Sequence, residues 1–172
     1  MYADDTTLFC SCKSVHNLFI KLIALIQRVY IWLKANFLSL NFSKTKYMFI
    51  TYNFVPDDLQ IKVNNFMIEK CKCLSFLGVT IDQKILYHEH LNYVVSNVSS
   101  TQGIIFKLNY LPTDILLIIY YSLVFPYLFY CIEIWGACPA STSLPLYRLQ
   151  KKLFEIFINL NIMLMWILHF II

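Results

Sequence analysis

The chain has 172 residues, of which 59% are hydrophobic, 17% aromatic and only 14% charged, where about 25% charged is usual. That balance argues against a self-contained soluble domain and leaves two classes: a membrane protein, or a piece whose covering partner lies elsewhere. The net charge of +4, from 14 basic and 10 acidic residues, suits a polyanionic partner without specifying one.

Residues 2–12 read as a hairpin, with Asp4-Asp5 at its turn and Thr6 to Cys10 as the returning strand. Ser14 suits the N-cap of the next element. Val15, Leu18, Leu22, Leu25, Val29 and Leu33 then recur at three- and four-residue steps. That spacing predicts a helix to about Asn36 with this face inward and Lys21, Arg28 and Lys34 on or near the other side. A loop leads to a strand over 47–51, and Pro56-Asp57-Asp58 breaks the chain. Residues 61–63 and 66–68 flank Asn64-Asn65, a pair that tolerates the positive φ of a tight hairpin turn. Residues 73–81 form a further strand candidate, in which Gly78 marks a bulge or a close backbone approach. With 3 glycines in all, tight turns fall to Asn, Asp and Pro.

After His88 the period becomes helical. Leu91, Val94, Val95, Val98, Ile105 and Leu108 predict one helix, ended by Leu111-Pro112. A second spans 113–130 with a break at Pro126, and a third begins near Ser143. His88 and His90 read as surface residues at a helix entry. The 6 cysteines include two C-x-C pairs, Cys10/Cys12 and Cys71/Cys73. That spacing does not suit structural zinc, so they read as reduced, mostly buried thiols.

The sharpest chemical signal is Asp4-Asp5 between two short apolar stretches. Template-directed polymerases hold two magnesium ions roughly 3.5–4 Å apart, and such hard cations want carboxylate oxygens. A pair alone is weak, since Asp57-Asp58 is another and reads as a solvated turn. Context separates them. YADD at 2–5, followed by Thr, a polar loop and an amphipathic helix, resembles the catalytic core of reverse transcriptases of non-LTR (LINE-like) retrotransposons. WLKANFLSLNFSKT at 32–45 is similar to the segment after that family's palm helix. CLSFLGVTID at 73–82 resembles its FLG-type primer-grip hairpin. Val98-Ser99-Ser100, Leu111-Pro112 and YYSLVFPYLFYCIEIWG at 120–136 resemble its thumb, and Gln150-Lys151-Lys152 the helix after it.

The resemblance implies an α+β chain: a partial polymerase palm with small antiparallel hairpins over 1–84, an all-helical thumb over 85–152, and an apolar tail over 153–172. It implies Asp4 as principal and Asp5 as supporting ligand of Mg²⁺, with Tyr2 beside the primer end or the incoming nucleotide. Lys44, rather than Lys46, would approach the triphosphate. Phe76, Leu77 and Gly78 would shape the primer grip, and Arg148, Lys151 and Lys152 would meet duplex phosphates. The implied partners are an RNA template, a DNA primer and the fingers and remaining palm, which carry a third metal-binding Asp outside these 172 residues. The expectation is therefore a fragment inactive by itself. Two alternatives stand beside it. One is a membrane protein with spans near 115–132 and 156–172, both free of charged side chains, in which the tail alone could associate with membranes. The other is a non-catalytic remnant that binds nucleic acid without sequence preference.

Overall fold

The computed structural model describes residues 6–52, 55–56, 60–63 and 66–159. The chain is of mixed α+β type and parts into two compact units, residues 1–72 and 73–172.

In the first unit, helix α1 runs Val15–Ala35 behind Ser14, whose extended backbone suits an N-cap although its side chain makes no capping bond. Its buried face is Leu18, Leu22, Ile26 and Tyr30 rather than Leu18, Leu22, Leu25 and Val29. The helix is apolar on both stripes, so periodicity alone leaves its rotation open by about one residue, and the sheet it covers decides. The helix ends in a Schellman turn. Leu38 N–H bonds the Leu33 carbonyl at 2.9 Å and Phe37 N–H that of Lys34 at 3.2 Å, with Phe37 at φ 57° where glycine is usual.

Strands β1 (Lys46–Tyr47), β2 (Ile61–Val63) and β3 (Phe66–Lys70) form a sheet of order β1-β3-β2. The expected β2–β3 hairpin is present, with Ile61 opposite Ile68 and Val63 opposite Phe66; Asn64-Asn65 lie outside the described residues. The strand expected over 47–51 pairs only at Lys46–Tyr47, and it does so in parallel with β3, so this sheet is mixed rather than purely antiparallel. Ile61, Val63 and Ile68 alternate inward and meet Ile26, Tyr47 and Phe49 in a six-residue core. Residues 6–12 carry no strand, and the expected partner across that hairpin lies outside the described residues.

The second unit opens with β4 (Cys73–Phe76) and β5 (Val79–Asp82), paired antiparallel with Phe76 opposite Val79. The stretch read from composition as one strand over 73–81, and from its resemblance as a hairpin, is two strands. Leu77 and Gly78 both take positive φ, 46° and 80°, the signature of a two-residue hairpin turn. Helices α2 (His88–Lys107), α3 (Thr113–Leu123), α4 (Phe125–Phe129), α5 (Ile132–Trp135) and α6 (Ala140–Asn159) follow. Pro126 stands in the first turn of α4. Having no N–H to continue α3, it lets the helix restart there, as its position in the sequence predicts.

Leu91, Val94, Val98 and Ile105 of α2 are buried at helical spacing, against Leu116, Tyr120, Leu128 and Trp135 of the middle helices, Val124 between α3 and α4, and Leu146, Leu153 and Phe157 of α6. Val79 of β5 joins this core, so the hairpin belongs with the helices. The third helix starts at Ala140, earlier than expected, because the Pro139 carbonyl accepts from Thr142 N–H at 2.8 Å.

Asn41 and Asp82 open turns as expected, each accepting from amides two to four residues on, but among the described residues Asn, Asp and Pro do not supply all of them. Phe37, Leu77, Ile85, Tyr87 and Cys131 all adopt left-handed backbone. The cysteines, expected to be mostly buried, are not: none of the six is fully buried, and Cys12 and Cys73 are exposed.

Candidate nucleic-acid interface

The described geometry converges on the β4–β5 turn. Tyr130, the residue that follows α4, donates its hydroxyl to the Leu77 carbonyl at 2.6 Å. A Cβ placed on Gly78 would lie 3.2 Å from Tyr130 Cε1, so the ring covers the second turn residue and only glycine fits there without displacement. Tyr130 is itself fixed from behind, its carbonyl accepting from Trp135 Nε1–H at 2.8 Å. Phe76 is half-buried, whereas Leu77 is 43% exposed at the tip. A cleft of about 240 Å³ runs between the turn, α2 and α4, lined by Gly78, His90, Tyr93, Val94, Tyr127 and Tyr130.

His90 corrects an expectation: it is 3% exposed, not a surface residue. β5 covers it, and Thr80 N–H points at its Nδ1 at a long 3.5 Å, while its ring lies 5.9 Å from that of Trp135. Nε2 has no hydrogen-bond partner among the described residues. Burial pushes the pKa of this imidazole below its ordinary 6.5 and keeps it neutral.

Asp82 ties the hairpin to α2. Its carboxylate accepts from the amides of Lys84 at 2.9 Å, Leu86 at 3.1 Å and Tyr87. This satisfies backbone donors at a helix entry where Ile85 and Tyr87 are both left-handed. Desolvation alone would raise its pKa, but these amides and the nearby His88 outweigh it and hold the carboxyl below its usual range.

The remaining expected residues are dispersed. Tyr2, Asp4 and Asp5 lie outside the described residues. Lys44 is exposed in the loop of the first unit, where its amide meets Asn41 Oδ1 at 3.3 Å. Lys46 is engaged with Glu69 at 3.0 Å. Arg148, Lys151 and Lys152 are exposed on α6 at three- and four-residue steps, hence on one face. Among the described residues no group of three His, Cys, Asp or Glu side chains is placed to hold a metal ion. No helix there is long and apolar enough to cross a membrane. The segment 115–132 is divided among α3, α4 and the start of α5, and 160–172 lie outside the described residues.

Sequence alone gives no separate signal for Tyr130, Trp135 and Asp82, and it reads His90 as a surface residue. The first three stand inside the stretches at 73–82 and 120–136, but their roles depend on contacts across up to 53 residues. Compared with protein-family models, curated proteins and solved structures, the chain gives no match.

Proposed function

We propose that this chain is the portion of an RNA-directed DNA polymerase of the non-LTR retrotransposon type that runs from the catalytic hairpin through the primer grip to the thumb. Its substrate class is a DNA primer paired with an RNA template. The observation that carries this is order: YADD, WLKANFLSLNFSKT, CLSFLGVTID and the thumb-like stretch up to Gly136 succeed one another as in that family. Two features of the second unit support it. Phe76-Leu77-Gly78 form a turn whose tip is open to solvent. Arg148, Lys151 and Lys152 offer exposed charge on one helix face, the sequence-independent means of holding phosphates.

Asp4 and Asp5 are the oxygen donors that Mg²⁺ requires, and the ion would neutralise charge at the reacting phosphate. Two carboxylates do not complete a two-metal centre, and in the family this chain resembles the third is carried on a separate palm strand. On this reading the 172 residues bind primer–template without copying it.

The test is primer extension on poly(A)/oligo(dT) with Mg²⁺, run beside binding of the same hybrid across a salt series. Neither the parent nor Asp4→Ala should extend the primer. Binding should weaken as salt rises, and replacing Arg148, Lys151 and Lys152 by Ala should flatten the log–log slope by roughly two to three. No binding at low salt sinks the proposal. Extension by the parent but not by Asp4→Ala shows instead that a third carboxylate is supplied within the chain or by a second copy.

A further inference from the structure

We propose that Tyr130 is a positioning residue: it holds the Leu77-Gly78 turn in the strained shape that presents Leu77 to nucleic acid. The presenting role rests on the function proposed above; the holding role does not.

The residue types are the starting point. A two-residue hairpin turn with both φ values positive is favoured by Asn-Gly or Asp-Gly. Here the first position is Leu at φ 46°, where its Cβ crowds the backbone and no side-chain oxygen compensates. Such a conformation persists only when its surroundings over-determine it, and the surroundings are Tyr130. Its hydroxyl bonds the carbonyl of Leu77 from 53 residues away. Its ring lies over Gly78 closely enough that a Cβ there would be crowded. Trp135 in turn anchors the Tyr130 carbonyl, and Cys131 at φ 53° swings the chain from α4 into α5 so that both bonds form.

The hairpin tip is therefore set by the helical bundle rather than by its own turn chemistry. What the clasp leaves outward is the apolar Leu77 side chain, 43% exposed. An apolar side chain cannot read base edges by hydrogen bonding. It can lie against sugar or base faces of any sequence, the sequence-tolerant contact a polymerase portion needs at a primer strand.

The experiment uses the whole chain. Binding of a fluorescein-labelled RNA/DNA hybrid is measured for the parent, Tyr130→Phe and Leu77→Asn, together with amide hydrogen exchange at Gly78 and Val79 and the thermal midpoint. Tyr130→Phe removes only the hydroxyl. It should weaken hybrid binding about five- to tenfold, as loss of one well-placed hydrogen bond does, and speed exchange at the turn while the helical transition stays within a few degrees. Leu77→Asn should slow exchange, because Asn suits the turn, yet weaken binding several-fold. A purely structural Leu77 would move both readouts in the same direction. Unchanged exchange in Tyr130→Phe overturns the clasp. Altered exchange with unchanged affinity in both variants overturns the presenting role. A parent that binds no hybrid overturns the function proposed above and the presenting role with it, while the exchange arm still decides the clasp.

Discussion

The two units differ in what they are made to do. Residues 1–72 hold nine basic and five acidic side chains, and residues 73–172 hold five of each, so the whole net charge of +4 resides in the first. The cores are reversed: among the described residues, six buried hydrophobic side chains form the core of the first unit against fourteen in the second. The first unit thus carries the net positive charge on a thin core, with strands of two to five residues, and on the proposed function it would supply the long-range attraction for nucleic acid. The second carries no net attraction but has the packing to fix a turn and a row of basic side chains in place. Attraction and positioning are separate physical tasks, and here they fall on separate stretches of chain.

Core substitutions bring the contrast out most strongly. Ile61→Ala and Leu116→Ala each remove a fully buried aliphatic side chain, a loss of about 3 kcal/mol. In the six-residue core that is a large share of the total, so amide protection over Ile61–Lys70 should vanish. In the larger core, Leu116→Ala should lower the helical unfolding midpoint without abolishing the transition. A sheet that stays protected in Ile61→Ala breaks the contrast.

The next effect is confined to the second unit. His90 has its folded-state pKa depressed below 6.5 by burial, so the unfolded chain takes up its proton first. Stability should be constant above about pH 6.5 and decline as pH falls below it, levelling only beneath the folded-state value. Urea midpoints across this range should show the decline, and His90→Leu should remove its largest part. A flat profile in the parent would mean that the imidazole is solvated and the hairpin does not cover it. The smallest effect belongs to the first unit: Lys46 and Glu69 pair at 3.0 Å with both side chains exposed. Lys46→Ala should therefore cost less than about 0.5 kcal/mol in denaturant titration.

Much of the helical skeleton was legible. Ser14, Asn36 and Pro126 mark helix boundaries where expected, Asn36 by its own side-chain bond to the Trp32 carbonyl and Pro126 by its missing N–H. By contrast, α2 stops at Lys107, before the Leu111-Pro112 expected to end it. Leu91, Val94, Val98 and Ile105 keep one face throughout. What failed was whatever depended on a neighbour. Ile26 rather than Leu25 faces the core because a sheet lies against it, and both residues fit the periodic pattern. His90 reads as polar and exposed until β5 covers it. Leu77 gives no turn signal, since its conformation is imposed by a tyrosine 53 positions later. Of the candidate site, Phe76-Leu77-Gly78 were placed by motif and Tyr130 was missed; Tyr2, Asp4 and Asp5 rest on sequence alone.

The Leu77–Tyr130 bond also sets a timetable. A hairpin closes within about 1–10 μs, but at about 5–20 residues per second on the ribosome the 53 residues separating its tip from its clasp take roughly 3 to 10 seconds to emerge. Throughout that interval β4 and β5 have neither Tyr130 nor the later helices to hold them. Leu77 then has no reason to stay left-handed, and the strand edges are open to chaperones or to other nascent chains. Completion of the turn thus waits on a residue made long after the hairpin itself, and slow translation of residues 110–130 would lengthen the exposure.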